Sequence, residues 1–261
     1  MRSKEWKVNM NFNNKLSMLK DKKEAIHDWN KELYHLCNNI SLPVTTRKWS
    51  TTQYLFRARK INSILDLQQW NKNDFGARKS YKITEYGRLN KPYEEMLYFN
   101  NDFHQTLKEI DYDYQTPVVV SAYQVIEPFM STQIAYENKN QLMDVESKAC
   151  LDWFRDLFSD NADIASEICN QITTAIREDF YTLAIDIAQA WSYPIVGEQI
   201  KGMNNVAMYP GPARQHLNFV GAIVISDVNS EGKMNVEFCF DPNYRLDYVK
   251  GYSELKEIFV L

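Results

Sequence analysis

Glycine is scarce in this chain. Only eight of the 261 residues are glycine, and the first of them is Gly76. P-loop and dinucleotide-binding proteins cluster their glycines between a strand and a helix, so that the backbone can cradle a phosphate. The glycines here are too widely spaced for such a loop. If a nucleotide binds, side chains such as Arg57 and Arg88 must hold its phosphates.

Cysteine and histidine are also few, with four of each. The cysteines are far apart and include no Cys-x-x-Cys pair, so the sequence indicates neither a zinc site nor a disulfide framework. They are typical of core thiols in a reducing cytoplasm. The histidines show no His-Glu-x-x-His or similar spacing, and we therefore expect no metal site.

Long apolar runs are missing as well. No segment approaches the roughly 20 apolar residues of a membrane span, and Met1–Asn14 lacks the apolar stretch of a secretory signal. A cytoplasmic protein without a membrane partner is the expectation. The net charge of −4 and the pI of about 5.7 argue against a broad nucleic-acid-binding face, although a small basic pocket remains compatible with them.

Hydrophobic spacing gives the expected order of elements. It predicts an amphipathic helix over Lys15–Cys37 and helical structure over nearly all of Asp144–Ala190. Short apolar segments rich in Val, Ile and Phe are instead typical of strands: Thr116–Val125, Asn205–Tyr209, Phe219–Ser226 and Met234–Phe240. A hairpin turn is expected at Asn229–Gly232. Strands, then helices, then strands predict an α+β fold.

Four polar residues lie where they could converge on one pocket. Arg57 is in a predicted strand, Arg88 follows Gly87 in a predicted turn, Tyr98 is in a short strand, and Glu109 is in the helix after it. An arginine suits a phosphate because its planar guanidinium forms two parallel charge-assisted hydrogen bonds. A glutamate nearby suits a sugar hydroxyl or a developing positive charge.

Five sequence blocks, taken together, resemble the RES domain family. They are Phe56-Arg57-Ala58-Arg59, Gly87-Arg88-Leu89-Asn90-Lys91-Pro92, Met96-Leu97-Tyr98-Phe99, Thr106-Leu107-Lys108-Glu109, and Tyr193-Pro194-Ile195 followed by Gly202, Asn204-Asn205-Val206-Ala207 and Tyr209-Pro210. The resemblance covers roughly residues 51–226. It implies an ADP-ribosyltransferase-like fold with a split β-sheet core and a central helical block. Residues 1–50 would then be an N-terminal helical extension, and residues 51–261 the RES-like domain.

The resemblance also implies a function. Members of this family include toxins of toxin–antitoxin pairs that destroy NAD, so NAD is the expected substrate and an antitoxin protein a candidate partner. Whether water, phosphate or a macromolecule accepts the ADP-ribose stays open. The implied catalytic residues are Glu109, Arg57 and Tyr98, and the implied NAD-binding residues are Arg57, Arg88, Asn90, Tyr98, Ser192 and Asn204.

One departure from the family pattern concerns catalysis. Ile195 follows Tyr-Pro where the family has serine, and an isoleucine side chain neither donates nor accepts a hydrogen bond. Ser192 or Asn204 could supply the missing polar contact. The alternative interpretation is a catalytically impaired module that still binds NAD or another nucleotide.

Overall fold

The fold is built on a mostly antiparallel sheet of ten strands, with helices packed against it. The computed structural model describes residues 11–113, 115–137, 142–159, 164–195, 204–228, 234–248 and 253–259. Its strands are β1 (Thr45–Trp49), β2 (Tyr54–Lys60), β3 (Leu97–Asn100), β4 (Val118–Val125), β5 (Phe129–Gln133), β6 (Ala190–Tyr193), β7 (Asn205–Met208), β8 (Leu217–Val228), β9 (Met234–Phe240) and β10 (Leu246–Tyr248). The fold is therefore mixed α+β, as the sequence predicts.

The sheet consists of two halves that meet at one narrow junction. The strand order is β1-β5-β6-β7-β3-β2-β4-β8-β9-β10, and the pair β5–β6 is parallel. β2 pairs with β4 along its whole length, from Tyr54 to Lys60, but with β3 only where Phe56 lies opposite Asn100. Beyond that pair, β2 and β3 diverge.

The helices in the described residues are mostly short. They are α1 (Phe12–Asp21), α2 (Trp29–Leu36), α3 (Lys72–Phe75), α4 (Phe103–Lys108), α5 (Val145–Phe158), α6 (Ser166–Phe180), α7 (Pro210–His216) and α8 (Ser253–Ile258). Side-chain caps fix several starts: the Asp102 carboxylate accepts the Gln105 N–H at 2.8 Å, and Asp144 accepts that of Ser147 at 2.8 Å. Such caps satisfy backbone donors that have no partner in the first helical turn.

A helical layer formed by α1, α2, α5 and α6 encloses one core. Phe12, Trp29, Phe154 and Ile176 are among its buried residues. The prediction of a single helix over Lys15–Cys37 is wrong. Helix α1 ends at Asp21, and α2 begins after Asp28, whose side chain caps it by accepting the Lys31 N–H at 3.1 Å. Likewise, the predicted helical block ends early, since α6 stops at Phe180.

The four strands predicted from apolar segments are present with shifted ends, and so are the two predicted strands that contain Arg57 and Tyr98. The sheet also contains β1, so it includes residues from both sides of the boundary expected at residue 50. The hairpin expected at Asn229–Gly232 lies outside the described residues and stays a prediction. Among the described helices, none combines the length and apolar character that crossing a membrane requires.

Candidate functional site

A cleft of about 1100 Å³ opens where the two half-sheets diverge. One side is formed by β2 and another by β3, α4 and the ends of β6 and β7. The segment from Asn73 to Asn90 supplies much of the remaining wall. Small-molecule sites typically enclose roughly 300–1,000 Å³, so this cleft has room for a dinucleotide.

The cleft is basic although the chain as a whole is acidic. Seven basic side chains and three acidic ones line it, whereas the whole chain carries a net charge of −4. The basic residues are Arg57, Arg59, Lys60, Arg78, Lys79, Lys82 and Arg88, and the acidic ones are Asp74, Glu85 and Glu109. This excess of positive charge favours an anionic ligand.

Glu109 is held in the cleft by a chain of amides. The Asn205 Nδ2 donates to Glu109 Oε1 at 2.8 Å, and the Asn100 Nδ2 donates to Asn205 Oδ1 at 2.8 Å. Asn100 in turn accepts the Asp102 N–H at 2.7 Å, at the start of α4. Because each amide is itself oriented by a neighbour, the carboxylate at the end of α4 has a fixed position.

Of the neighbours Asn204 and Asn205, Asn205 lines the cleft, whereas the sequence pointed to Asn204. Consecutive residues of a strand point to opposite faces. Asn205 lines the cleft, whereas Asn204 is buried outside its lining, where its Oδ1 accepts a hydrogen bond from Tyr136 and its N–H donates to Asn101 Oδ1 at 2.7 Å. The pair Asn100–Asn205 lies in register between β3 and β7. The sequence alone does not reveal this register, which is what identifies Asn205 as the asparagine that reaches Glu109.

Tyr98 and Asn90 shape the turn beside the cleft. The Tyr98 hydroxyl donates to Asn90 Oδ1 at 2.7 Å and accepts the Leu89 N–H at 2.9 Å. Burial raises the pKa of Tyr98, so the phenol stays protonated at neutral pH. A Cβ at Gly87 would lie 2.3 Å from Asn90 Oδ1, so a larger residue there would displace the Asn90 side chain from its hydrogen bond with Tyr98.

Arg57 and Arg59 hold the start of the opposite wall. Arg57 donates from Nη1 to the Gly76 carbonyl at 2.6 Å and to that of Phe75 at 3.2 Å. Arg59 donates to the carbonyls of Asp74 and, at 2.8 Å, Gly76. Burial and the nearby charge of Arg59 lower the pKa of Arg57 to about 10, so Arg57 is still cationic at neutral pH.

Arg88 reaches across to the helical layer. Its Nη1 donates to the Phe158 carbonyl at 2.9 Å and the Leu157 carbonyl at 3.4 Å, at the carboxyl end of α5. A cation there complements the negative end of the helix dipole. Arg88 therefore lines the cleft and also ties its turn to α5.

An ion pair between Arg177 and Glu94 stabilises the chain just after the Gly87–Asn90 turn. Arg177 of α6, only 2% exposed, contacts both oxygens of Glu94 at 3.0 and 3.2 Å. Glu94 also accepts the Tyr209 hydroxyl at 2.6 Å and the Lys91 N–H at 2.8 Å. Burial raises the pKa of Glu94, but these hydrogen bonds and the charge of Arg177 outweigh it and hold that pKa below 4.5.

Ser192 and Ile195 are both buried and neither lines the cleft. Ser192 of β6 accepts a hydrogen bond from the Ser131 hydroxyl at 3.1 Å, on the side of the strand away from Tyr193, which does line the cleft. Alternation along β6 explains this placement. The geometry thus brings together Arg57, Arg88, Asn90, Tyr98 and Glu109, but leaves Ser192 and Asn204 apart from them.

Within the described residues, no three His, Cys, Asp or Glu side chains are grouped to hold a metal ion. No protein-family model matches the chain, and no curated protein does. Among solved structures, the crystal structure of the M. tuberculosis MbcT–MbcA toxin–antitoxin complex is similar over 75% of this chain and 86% of its own, at 10% identity and a TM-score of 0.37. A likeness this weak carries no argument about the fold or the function.

Proposed function

We propose that this protein is an NAD-consuming enzyme of RES type with an ADP-ribosyltransferase-like core. The observation that carries the proposal is the carboxylate of Glu109, held by Asn205 at 2.8 Å in a cleft where basic side chains outnumber acidic ones. The fixed carboxylate of Glu109 can stabilise a cationic transition state, and the basic side chains of the cleft can bind phosphate groups. The two features together fit a nucleotide whose sugar develops positive charge.

In the proposed reaction the bond between nicotinamide and ribose breaks. Nicotinamide leaves with the bonding electron pair, and Glu109 stabilises the oxocarbenium-like ribose that remains. Tyr98 contacts the nicotinamide or its ribose, while Arg57 and Arg88 add positive potential on the pyrophosphate side. Water, phosphate or a macromolecular group then adds to the ribose carbon, and the structure does not select among these acceptors.

The RES resemblance extends the proposal to a biological role. The chain would be a toxin that depletes NAD in the cytoplasm, restrained by an antitoxin protein that covers the cleft. Expression of the chain alone in a bacterial host should then lower cellular NAD. Equal NAD levels with wild type and Glu109→Gln, at equal expression and without a partner, would contradict this role.

A second candidate is a nucleotide-binding module that has lost its chemistry. The observation that favours it is the absence of any serine among the described cleft-lining residues, since Ser192 lies elsewhere and Ile195 is buried. Losing a polar contact that matters only in the transition state costs about 10²- to 10³-fold in rate and leaves affinity intact.

Release of free nicotinamide from NAD separates the two candidates. Wild type should release it, and Glu109→Gln should lower the rate by about 10²-fold or more while binding NAD nearly as well, because the amide keeps the shape and loses the charge. Glu85→Gln is the matched control, since Glu85 also lines the cleft but is exposed. Binding of NAD without release by wild type would instead establish the module.

A further inference from the structure

One wall of the cleft presents basic side chains that the sequence blocks did not include. Arg78, Lys79 and Lys82, here called the basic wall, are exposed and line the cleft. They lie in a segment between α3 and the Gly87 turn. In the described residues, no hydrogen bond or ion pair engages their side-chain nitrogens.

Both ends of this segment are fixed. Before it, Phe75 packs among Phe219, Phe240 and Tyr244, and the carbonyls of Asp74, Phe75 and Gly76 accept hydrogen bonds from Arg57 and Arg59. The Tyr123 hydroxyl adds another bond, to the Phe75 carbonyl, at 2.5 Å. The backbone that leads into the basic wall is therefore anchored to β2 and β4.

The later part of the segment is anchored to the strand side of the cleft. The Ser80 N–H donates to Glu95 Oε1 at 3.0 Å, and the Ile83 carbonyl accepts the Tyr93 N–H at 2.8 Å. Between these anchors the three cationic side chains are exposed to the cleft. A backbone held at both ends lowers the entropy cost of binding an anion there.

Two half-buried cations that also line the cleft, Arg57 and Arg59, increase the positive potential at the basic wall. Arg57 and Arg59 are close enough to Arg78 for its charge to lower the pKa of each. Their hydrogen bonds to backbone carbonyls identify them as positioning residues for the wall. An anion at the wall would contact exposed cations directly and would also be attracted by the two arginines that line the same cleft.

We propose that the basic wall is the direct binding site for the pyrophosphate of a nucleotide, with Arg57 and Arg59 as positioning residues. This inference rests on the proposed function for the identity of the ligand as a dinucleotide. Tyr81, 70% exposed and within the same segment, has Lys82 Nζ over its ring at 5.9 Å from the centroid, and the other face of the ring is where a base can stack. The site therefore selects nucleoside diphosphates over nucleosides.

Calorimetric titration with ADP and with adenosine tests the proposal. Wild type should bind ADP more tightly than adenosine. The triple variant R78A/K79A/K82A should lose about tenfold or more in ADP affinity, as expected for lost charge-assisted contacts, with adenosine affinity unchanged. The control K31A/K148A/R214A removes the same charge from exposed residues outside the cleft and should bind ADP like wild type.

Two results would overturn the basic wall as the pyrophosphate site. One is no ADP binding by wild type at millimolar concentration, and the other is ADP affinity within about twofold of wild type in R78A/K79A/K82A. Circular dichroism checks that each variant is folded. Nicotinamide release is measured separately. If the protein binds ADP through the basic wall but does not cleave NAD, the proposed enzymatic activity is wrong and the proposed pyrophosphate site still holds.

Discussion

The side-chain amide of Asn205 donates to the carboxylate of Glu109 at 2.8 Å, and thereby fixes an acidic group that lines the cleft. Residues on β7 and at the end of α4 meet there, although they are 96 positions apart in the chain. The relationship makes Asn205 a positioning residue for the proposed catalytic carboxylate.

Replacing Asn205 by aspartate should shift the pH dependence of nicotinamide release. A second carboxylate beside Glu109 disfavours two ionised groups at once, so the acidic limb of the pH–rate profile should move to higher pH. Asn204→Asp adds the same charge outside the cleft lining and serves as the control. An unchanged acidic limb in Asn205→Asp would show that the amide does not act through Glu109.

Replacing Arg88 by alanine should weaken both the fold and NAD binding. The substitution removes a cation that donates to two carbonyls at the end of α5, and a hydrogen bond from a charged group contributes roughly 1.5–3 kcal/mol. Because Arg88 is part-exposed, we expect a loss of about 1–2 kcal/mol in urea unfolding. Calorimetry at a temperature where the variant is fully folded isolates the loss of NAD affinity. Affinity within about twofold of wild type would leave Arg88 with a purely structural role.

Replacing Glu94 by glutamine should destabilise the protein in a pH-dependent way. Removing one partner of a buried ion pair costs about 3–5 kcal/mol, and partial exposure of Glu94 places the expected loss nearer 2–3 kcal/mol at pH 7. Since the folded-state pKa of Glu94 lies below 4.5, its contribution is present above pH 4.5 and is lost as the pH falls through the folded value.

Chemical unfolding of wild type and Glu94→Gln at several pH values measures this difference. The gap in unfolding free energy should be constant from pH 7 to pH 5 and should narrow below pH 4.5. Glu95→Gln is a neighbouring control in which the hydrogen bond to the Ser80 N–H can persist through the amide oxygen. If the difference in unfolding free energy between wild type and Glu94→Gln stays constant down to pH 3, titration of Glu94 does not cause the pH dependence of stability.

The sequence predicted the parts of this molecule that depend on local patterns. The run Val118–Val119–Val120 is β-branched and begins the buried stretch of β4, which continues to Tyr123. By contrast, β1 and β5 contain polar residues such as Thr45 and Gln133 and become strands through pairing with each other. Their pairing partners are not encoded in any local period, so sequence reasoning missed both strands.

The same distinction applies to the site. Ordered blocks placed Arg57, Arg88, Tyr98 and Glu109 in one pocket, and the structure brings these four together. The role of Arg57 in holding the Gly76 carbonyl required knowledge of how α3 packs on the sheet. Choosing Asn205 over Asn204 required the phase of β7, because a shift of one residue reverses the face of every side chain.

Gly87 has an evolutionary consequence. A Cβ at this position would lie 2.3 Å from Asn90 Oδ1 and 3.2 Å from the Tyr98 hydroxyl, so a side chain there requires the hydrogen-bonded pair of Asn90 and Tyr98 to shift. A remote relative that keeps this turn should therefore keep glycine even where overall identity has fallen to chance. Glycine, asparagine and tyrosine at the spacing 87, 90 and 98 form a compact signature with which such relatives can be sought.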